Sequence, residues 1–195
     1  MHKYSSIFID DRDVRMLRIP HVTDSDFKQS VHFFQDRADS ITLQLGSGAL
    51  KDLPTEITEA WVSNLVGSGA VIICEIAGLE FRMYFHLSNE IRIFIEPCDY
   101  QTSESIENLL ALLKRLALFL QKRILLTGNF EPSPAGDEPV LEFLPTEEVI
   151  YNPQFDNFVE AEIEHQKTLR YLADAFKNRS KDKDKHSLDT PTSSS

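Results

Sequence analysis

One stretch decides how this chain folds: residues Ser103 to Lys122, SESIENLLALLKRLALFLQK. On a helical wheel its apolar residues cover one side, an arc of about half the circumference. They are Ile106, Leu109, Leu110, Leu112, Leu113, Leu116, Ala117, Phe119 and Leu120. Ser103 is the expected N-cap, and Lys122 and Arg123 lie at the negative end of the helix macrodipole. The pattern predicts a long amphipathic helix over about residues 103–123.

So wide an apolar side suits a helix that lies across a β-sheet better than one in a coiled coil. At about 1.5 Å per residue, the helix is roughly 30 Å long and covers several strands. Lys114 and Arg115 interrupt the apolar run near its middle, so the helix is not expected to span a membrane. We therefore expect a sheet elsewhere in the chain for this helix to cover.

The sheet is expected in Ala70–Glu96, AVIICEIAGLEFRMYFHLSNEIRIFIE, where apolar and polar residues alternate. Turns at Ala77-Gly78 and Ser88-Asn89-Glu90 join three antiparallel strands in this interpretation. The predicted pairs are Ile76–Leu79, Cys74–Phe81 and Ile72–Met83 in the first hairpin, and Leu87–Ile91, Phe85–Ile93 and Met83–Ile95 in the second. These registers place the apolar residues on one face, whereas a one-residue slip sends them to opposite faces. We predict a three-stranded meander whose apolar face the long helix covers.

The residues before the meander predict further helices and strands. Ser5–Ile9 is a candidate strand, and Thr23–Arg37 is a predicted helix. Its capping box would be formed by Thr23 and Asp26, and its apolar stripe by Phe27, Val31 and Phe34. Ser40–Leu45 alternates as a strand, and a helix is expected to begin at Pro54 with Ile57, Trp61 and Leu65 as its stripe. Residues 1–50 are therefore expected to be a helix-strand extension of the same domain.

The residues after the long helix predict a hairpin and a final helix. The hairpin strands are Ile124–Thr127 and Val140–Leu144. The final helix, Phe155–Lys177, carries a narrow apolar stripe, which suits packing at the sheet edge or against a second copy, and a homodimer is slightly favoured. From Asn178 onward the chain has almost nothing apolar to bury, which predicts a disordered tail over 178–195. The expected fold class is α+β, with a core domain over residues 51–177.

Composition narrows the classes of partner. The chain has 195 residues and a formal net charge of −11, which repels nucleic-acid phosphates and favours basic partners. The two cysteines, Cys74 and Cys98, match no zinc or redox spacing, and Cys74 is expected in the core. No signal peptide is visible, because Ile7–Ile9 is too short for an apolar h-region. We expect a cytoplasmic protein without metal or cofactor, with no nucleic-acid or membrane partner.

From Pro54 onward the expected order is helix, three strands, helix, two strands and helix. This order, together with the acidic pI and small size, resembles the small acidic chaperones of type III secretion. The resemblance covers about 120 residues, and the residues before Pro54 have no place in it. It implies a cytoplasmic, usually dimeric protein that is not an enzyme.

The face of the meander opposite its apolar face carries the candidate binding site. In the predicted register, Arg82 lies across from Glu96, Tyr84 from Phe94 and His86 from Arg92. Aromatic residues beside arginines are enriched in protein-binding surfaces. The candidate partner-binding residues are Arg82, Tyr84, His86, Arg92, Phe94 and Glu96. The alternative is an ordinary solvated sheet face, on which the same pairs only support the strands.

A second constellation lies near the N-terminus. Asp11-Arg12-Asp13-Val14 follows a short apolar run and resembles the DxDxV motif of haloacid-dehalogenase-type phosphatases. The resemblance implies a nucleophile at Asp11 and an acid/base at Asp13, in a parallel α/β sheet. The predicted meander is antiparallel, which is inconsistent with the parallel α/β sheet of those phosphatases.

Three functional hypotheses follow from these patterns. The first is a non-enzymatic protein-binding module, chaperone-like or inhibitor-like, that binds its partner through the sheet face. The second is an immunity protein that neutralises a basic toxin by charge complementarity. The third, from another class, is a small phosphatase-type hydrolase that uses Asp11 and Asp13.

Overall fold

A computed structural model describes Ile7, Lys167 and residues 15–96, 102–127 and 139–152. The chain divides into two compact units, Met1–Pro153 and Gln154–Ser195. In the described part of the first unit, nine antiparallel strands form one open sheet and three helices accompany it, which confirms the α+β class. In the second unit the structure describes Lys167, which is helical and exposed.

The helices of the described residues are α1 (Asp24–Gln35), α2 (Glu59–Leu65) and α3 (Ser103–Leu120). The strands are β1 (Arg15–Pro20), β2 (Ser40–Gln44), β3 (Leu50–Lys51), β4 (Val71–Ile76), β5 (Leu79–Leu87), β6 (Glu90–Ile95), β7 (Ile124–Thr127), β8 (Pro139–Phe143) and β9 (Val149–Tyr151). Three of the strands, β1, β3 and β9, were not predicted. Residues 15–51, of which all but Lys51 lie in the extension predicted over residues 1–50, supply three strands, β1, β2 and β3, to the one sheet.

Strand β1 lies inside the sheet rather than at its edge. The strand order is β3-β2-β4-β5-β6-β1-β7-β8-β9, so β1 pairs with β6 on one side and with β7 on the other. Leu17 lies opposite Ile93 of β6 and Leu126 of β7, and all three side chains are buried. β1 thus joins the meander to the C-terminal strands.

The three helices lie together on one face of the sheet. α1 lies beside both α2 and α3, and α3 passes close to β8. The ring of Phe27 in α1 stacks on Phe85 of β5 at a centroid distance of 5.7 Å, and Phe34 packs on Phe81 at 5.6 Å. Phe81 and Phe85 alternate along β5 with Arg82 and Tyr84, so the arginine and the tyrosine project from the opposite face.

The two longest helices match their sequence patterns closely. The capping box of Thr23 and Asp26 is present at α1. In α3, Thr102 is the N-cap and forms a capping box with Ser105, so the predicted Ser103 cap was wrong by one residue. The predicted apolar side of α3 is buried except for Phe119, which is 47% exposed and contacts Phe33 of α1.

The predicted start of the second helix was wrong. α2 begins at Glu59, because Thr58 is its N-cap and accepts a hydrogen bond from the backbone N–H of Trp61. Ile57 is buried but precedes the helix, and Val62 of α2 is fully buried. A hydroxyl or carboxyl side chain at the N-cap accepts a hydrogen bond from a free backbone N–H of the first turn. Pro54 offers only a backbone φ that is favourable for a helix.

The first hairpin of the meander has the predicted register, and the second does not. Ile76 pairs with Leu79, Cys74 with Phe81 and Ile72 with Met83, as predicted. In the second hairpin Met83 pairs with Ile93 rather than Ile95, and Leu87 pairs with Glu90 across a two-residue turn. A bulge between Tyr84 and Leu87 accommodates the shorter turn and leaves Leu87 exposed instead of in the core. The two-residue shift keeps the side chains of β6 on their predicted faces.

The C-terminal hairpin is confirmed, since β7 pairs with β8, and the hairpin is followed by β9, which pairs with β8. Ser5–Ile9 lies outside the described residues except for Ile7, which is buried. The final helix over Phe155–Lys177, apart from Lys167, and the tail over 178–195 also lie outside them. The helix, its self-association and the disordered tail therefore remain predictions.

The position of β1 predicts a strong effect of truncating its central side chain. Leu17 is completely buried between β6 and β7, so Leu17→Ala should lower the free energy of unfolding by about 3 kcal/mol. Leu118→Ala is the matched control, because Leu118 is 42% exposed and its truncation should change stability little. Urea denaturation followed by circular dichroism measures both. Equal effects of the two substitutions would contradict the internal position of β1.

Candidate functional site: the arginine–aromatic face

The sheet face opposite the helices carries a cluster of charged and aromatic side chains around β5 and β6. We call this cluster the arginine–aromatic face; its members are Arg18, Glu80, Arg82, Tyr84, His86, Glu90, Arg92, Phe94 and Glu96. All six predicted partner-binding residues belong to it. Alternation along each strand puts them on one side, as the sequence pattern indicated.

The face is built from the same short motif in two neighbouring strands. β5 contains Glu80-x-Arg82-x-Tyr84, and β6 contains Glu90-x-Arg92-x-Phe94. The strands are antiparallel, with Arg82 opposite Phe94 and Arg92 opposite Tyr84. A local two-fold axis normal to the sheet therefore relates the two motifs, and each arginine lies opposite an aromatic residue of the neighbouring strand.

In both motifs the glutamate holds the arginine two residues later. Arg82 Nε donates to Glu80 Oε1 at 2.6 Å, and Arg92 Nε donates to Glu90 Oε1 at 2.6 Å. Each of these bonds fixes one edge of the guanidinium on its glutamate. The two arginines thus have the same constrained orientation.

The symmetry is broken at Glu90, which also binds an arginine of β1. Arg18 donates to Glu90 Oε2 from Nε at 3.2 Å and from its terminal nitrogen at 2.8 Å. Arg18 lies directly opposite Arg92 in the ladder, an arrangement that is unfavourable without a counter-charge. The Glu90 side chain is 9% exposed, against 40% for Glu80. Glu90 thus binds two facing arginines from a buried position and offsets their mutual repulsion.

Ionisation of Glu90 reflects this environment. Burial alone would raise the pKa of its carboxyl group, but the hydrogen bonds and positive charges of Arg18 and Arg92 outweigh it and lower the pKa. For Arg82 burial works in the other direction, and the hydrogen bond to Glu80 with the charges of Glu80, Tyr84 and Glu96 raises its pKa overall. The Glu90 carboxylate and the Arg82 guanidinium are therefore both charged at neutral pH.

The aromatic members pack on one another between the arginines. The ring of Tyr84 meets Phe94 edge-on at a centroid distance of 4.7 Å and stacks on His86 at 5.3 Å. Phe94 is buried, Tyr84 is half-buried and His86 is exposed. The exposure of the rings therefore increases from Phe94 through Tyr84 to His86, and His86 is the ring most accessible to a partner.

The structure brings the six predicted residues together but with different cross-strand partners. Arg82 lies opposite Phe94 rather than Glu96, and Tyr84 lies opposite Arg92 rather than Phe94. The bulge removes the predicted pairing of His86 with Arg92. Arg18 was missed, although Met16-Leu17-Arg18-Ile19 alternates like a strand, because that pattern does not reveal which strands β1 joins.

The other candidate groups add no site within the described residues. Asp11 and Asp13 of the phosphatase hypothesis lie outside them. No cluster of three or more histidine, cysteine or acidic side chains in the described ranges could hold a metal ion. Burial, with a contribution from the charge of Glu80, raises the pKa of the Cys74 thiol to about 12, so this thiol is a poor nucleophile at neutral pH. The helices of the described residues include none long and apolar enough to cross a membrane.

Comparison with known proteins does not place the chain in a family. It matches no protein-family model, no curated protein and no solved structure. Function must therefore be inferred from the arrangement of its own residues.

The contrast between the two glutamates predicts unequal effects of the same substitution. Glu90→Gln should lower the free energy of unfolding at pH 7 by about 2 kcal/mol, because it removes the carboxylate that both Arg18 and Arg92 bind. The loss is smaller than for a fully buried ion pair, because the side chains of both arginines are partly exposed to water. Glu80→Gln removes a more exposed pair and should cost less than about 1 kcal/mol. Urea denaturation of both variants gives the comparison.

The contribution of Glu90 to stability depends on pH. Because the folded pKa of Glu90 is lower than its ordinary value of 4.5, its stabilising contribution is complete above that pH. The contribution is lost as the pH falls through the lower folded pKa. The stability difference between the unmutated protein and Glu90→Gln should therefore shrink below pH 4.5. A difference that stays constant to pH 3 would contradict this assignment.

Proposed function

We propose that this protein is a non-enzymatic binding module, chaperone-like or inhibitor-like, that holds another protein on the arginine–aromatic face. The observation that carries the proposal is the alternation of Arg82 and Arg92 with Tyr84 and Phe94 on one sheet face. Arginine and aromatic residues dominate the binding energy of protein interfaces when they cluster.

The exposure of the cluster supports this function. The Arg82 side chain is 43% exposed and that of Arg92 33% exposed, while His86 is exposed beside the half-buried Tyr84. Tyr84 is held by ring contacts on both sides, so little side-chain entropy is lost when a partner covers it. The two arginines are held by their glutamates in the same way. A surface whose side chains are already ordered is well suited to recognition.

The charge of the whole chain adds a requirement on the partner. A formal net charge of −11 accelerates association with a basic protein and slows association with an acidic one. This favours a basic partner, as in the immunity-protein form of the hypothesis. Inhibition or escort of such a protein needs no catalytic group on this chain.

The test measures whether a partner depends on this face. The immobilised chain is used to capture candidate partners from an extract of its native host, and each is purified for calorimetry. Tyr84→Ala should weaken binding of the true partner about thirtyfold, as expected for a central aromatic residue. Arg82→Ala should weaken it about fivefold, since its ion pair with Glu80 is partly exposed.

Two matched controls lie on the helix side of the molecule. Arg115→Ala removes one exposed arginine from α3, and Phe119→Ala removes one exposed aromatic ring. Neither should change the dissociation constant more than twofold. A partner that is lost with the α3 variants but kept with the sheet-face variants would overturn the proposal. Turnover in a phosphatase and esterase substrate panel that Asp11→Asn abolishes would overturn it too.

A further inference from the structure

The side of the sheet that carries the arginine–aromatic face continues across β4, β2 and β3. Val71 of β4 lies directly opposite Tyr84. Ile73 lies directly opposite Arg82, so both β4 side chains point to the same side of the sheet as the arginine–aromatic face. Residues of β2 and β3 extend these two rows to the sheet edge. The extended surface, which we call the uncharged strip, consists of Thr42, Gln44, Leu50, Val71 and Ile73.

The uncharged strip is partly apolar and reaches water. Leu50 is exposed, Ile73 is half-buried, and Val71 is buried beside Tyr84. The described helices pack on the opposite face of the sheet, so none of them covers the strip. An exposed apolar surface with a polar border is typical of a protein-binding site.

Carboxylates border the strip at the end of β4 that leads into β5. Glu75 lies directly opposite Glu80 in the β4–β5 ladder, and both side chains reach water. Arg82 binds Glu80 through Nε, and Glu96 lies close enough for its charge to act on Arg82. Among the described residues at this end of the face, one guanidinium therefore stands against three carboxylates. The border of the strip is negatively charged, unlike the balanced pairs around Glu90.

The direct opposition of the two glutamates is unfavourable in the free protein. Like charges directly opposite on neighbouring strands destabilise a sheet, whereas opposite charges stabilise it. The hairpin keeps Glu75 opposite Glu80 because the adjacent pair, Cys74 and Phe81, buries both of its side chains in the same register. A positively charged side chain that lies between the two carboxylates removes their repulsion. A basic partner therefore gains more here than at the balanced part of the face.

We infer that the uncharged strip and its border bind a segment of a basic partner protein, in which an apolar side chain covers Ile73 and a neighbouring lysine or arginine lies between Glu75 and Glu80. The formal net charge of −11 attracts such a partner to the whole chain. The inference rests on the proposed function, extends the contact surface from β5 and β6 to β4, and adds the chemistry of the bound segment.

Glu75→Gln separates a binding role of this glutamate from a structural one. The substitution removes the repulsion with Glu80, so it should raise the melting temperature of the free protein by about 1–2 °C at low salt. Glu107→Gln is the matched control, because Glu107 is exposed on α3, and it should change the melting temperature less. A melting temperature that Glu75→Gln lowers would give Glu75 a structural role and overturn the inference.

The binding probe is the capped peptide Ser-Leu-Ser-Arg-Ser, in which leucine and arginine point to the same side when the peptide is extended. It is titrated into the full ¹³C,¹⁵N-labelled chain, and the methyl resonances of Ile73 and the carboxyl resonances of Glu75 and Glu80 should shift together. The dissociation constant should be about fivefold lower than that of the same peptide with glutamine in place of arginine, as a partly exposed ion pair requires. Glu75→Gln should reduce this advantage to about twofold. Glu107→Gln should leave the advantage unchanged.

Four outcomes of the titration would contradict the inference. One is equal binding of the arginine and glutamine peptides, and another is an advantage of the arginine peptide that Glu75→Gln leaves intact. The third is the absence of any shift at Ile73 at the highest peptide concentration that stays in solution. The fourth is a shift of Ile73 when the chain is concentrated without peptide, which would assign the strip to a second copy.

Failure of the proposed function is separable from failure of this inference. A purified partner that depends on Tyr84 but binds the Glu75→Gln variant as tightly as the unmutated protein would sustain the proposed function and reject the inference. Peptide binding that depends on Glu75, while no partner depends on Tyr84, would support the chemistry of the strip and reject the broader function.

Discussion

The insertion of β1 between β6 and β7 is the constraint on which the rest of the sheet depends. After β6 the chain leaves the sheet through α3 and returns as β7, with the space of one strand between them. Without β1, both β6 and β7 would expose unpaired backbone N–H and C=O groups. β1 supplies partners to both, and its Leu17 contributes to a core layer shared with both neighbours. The meander and the C-terminal hairpin are one sheet because of this strand.

The same insertion creates the electrostatics of the candidate site. Placing β1 beside β6 puts Arg18 directly opposite Arg92, and this repulsion is compensated by Glu90. On the other side of β1, the fully buried hydroxyl of Thr127 donates to the backbone oxygen of Met16. Glu90 binds Arg18 of β1 and Arg92 of β6, so the carboxylate that links these two strands also orients Arg92 on the surface. Glu90 both stabilises the sheet and orients Arg92 in the proposed binding face, which makes Glu90 a poor position for probing binding and Arg82 a better one.

Much of the site could be predicted from alternation alone. Glu80, Arg82 and Tyr84, like Glu90, Arg92 and Phe94, are two residues apart, and any strand puts such residues on one face. The cross-strand partners could not be predicted in the same way. A shift of two residues in the β5–β6 register keeps every side chain on its face, so the apolar pattern is satisfied by either register. The bulge after Tyr84 and the two-residue turn choose between them, and neither has a clear signal in the residues involved.

By itself the sequence determined the elements whose signals are local. The period of the apolar residues defined α3 and the first hairpin, and the Thr23–Asp26 capping box marked the start of α1, because these interactions join residues close in the chain. Only the tertiary structure decided where β1 enters the sheet, that Phe119 stays exposed against Phe33, and that Glu90 serves two arginines. Those outcomes depend on contacts between residues up to 111 positions apart, as between Met16 and Thr127. Such contacts form when whole faces are buried together, and no short stretch of sequence contains both partners.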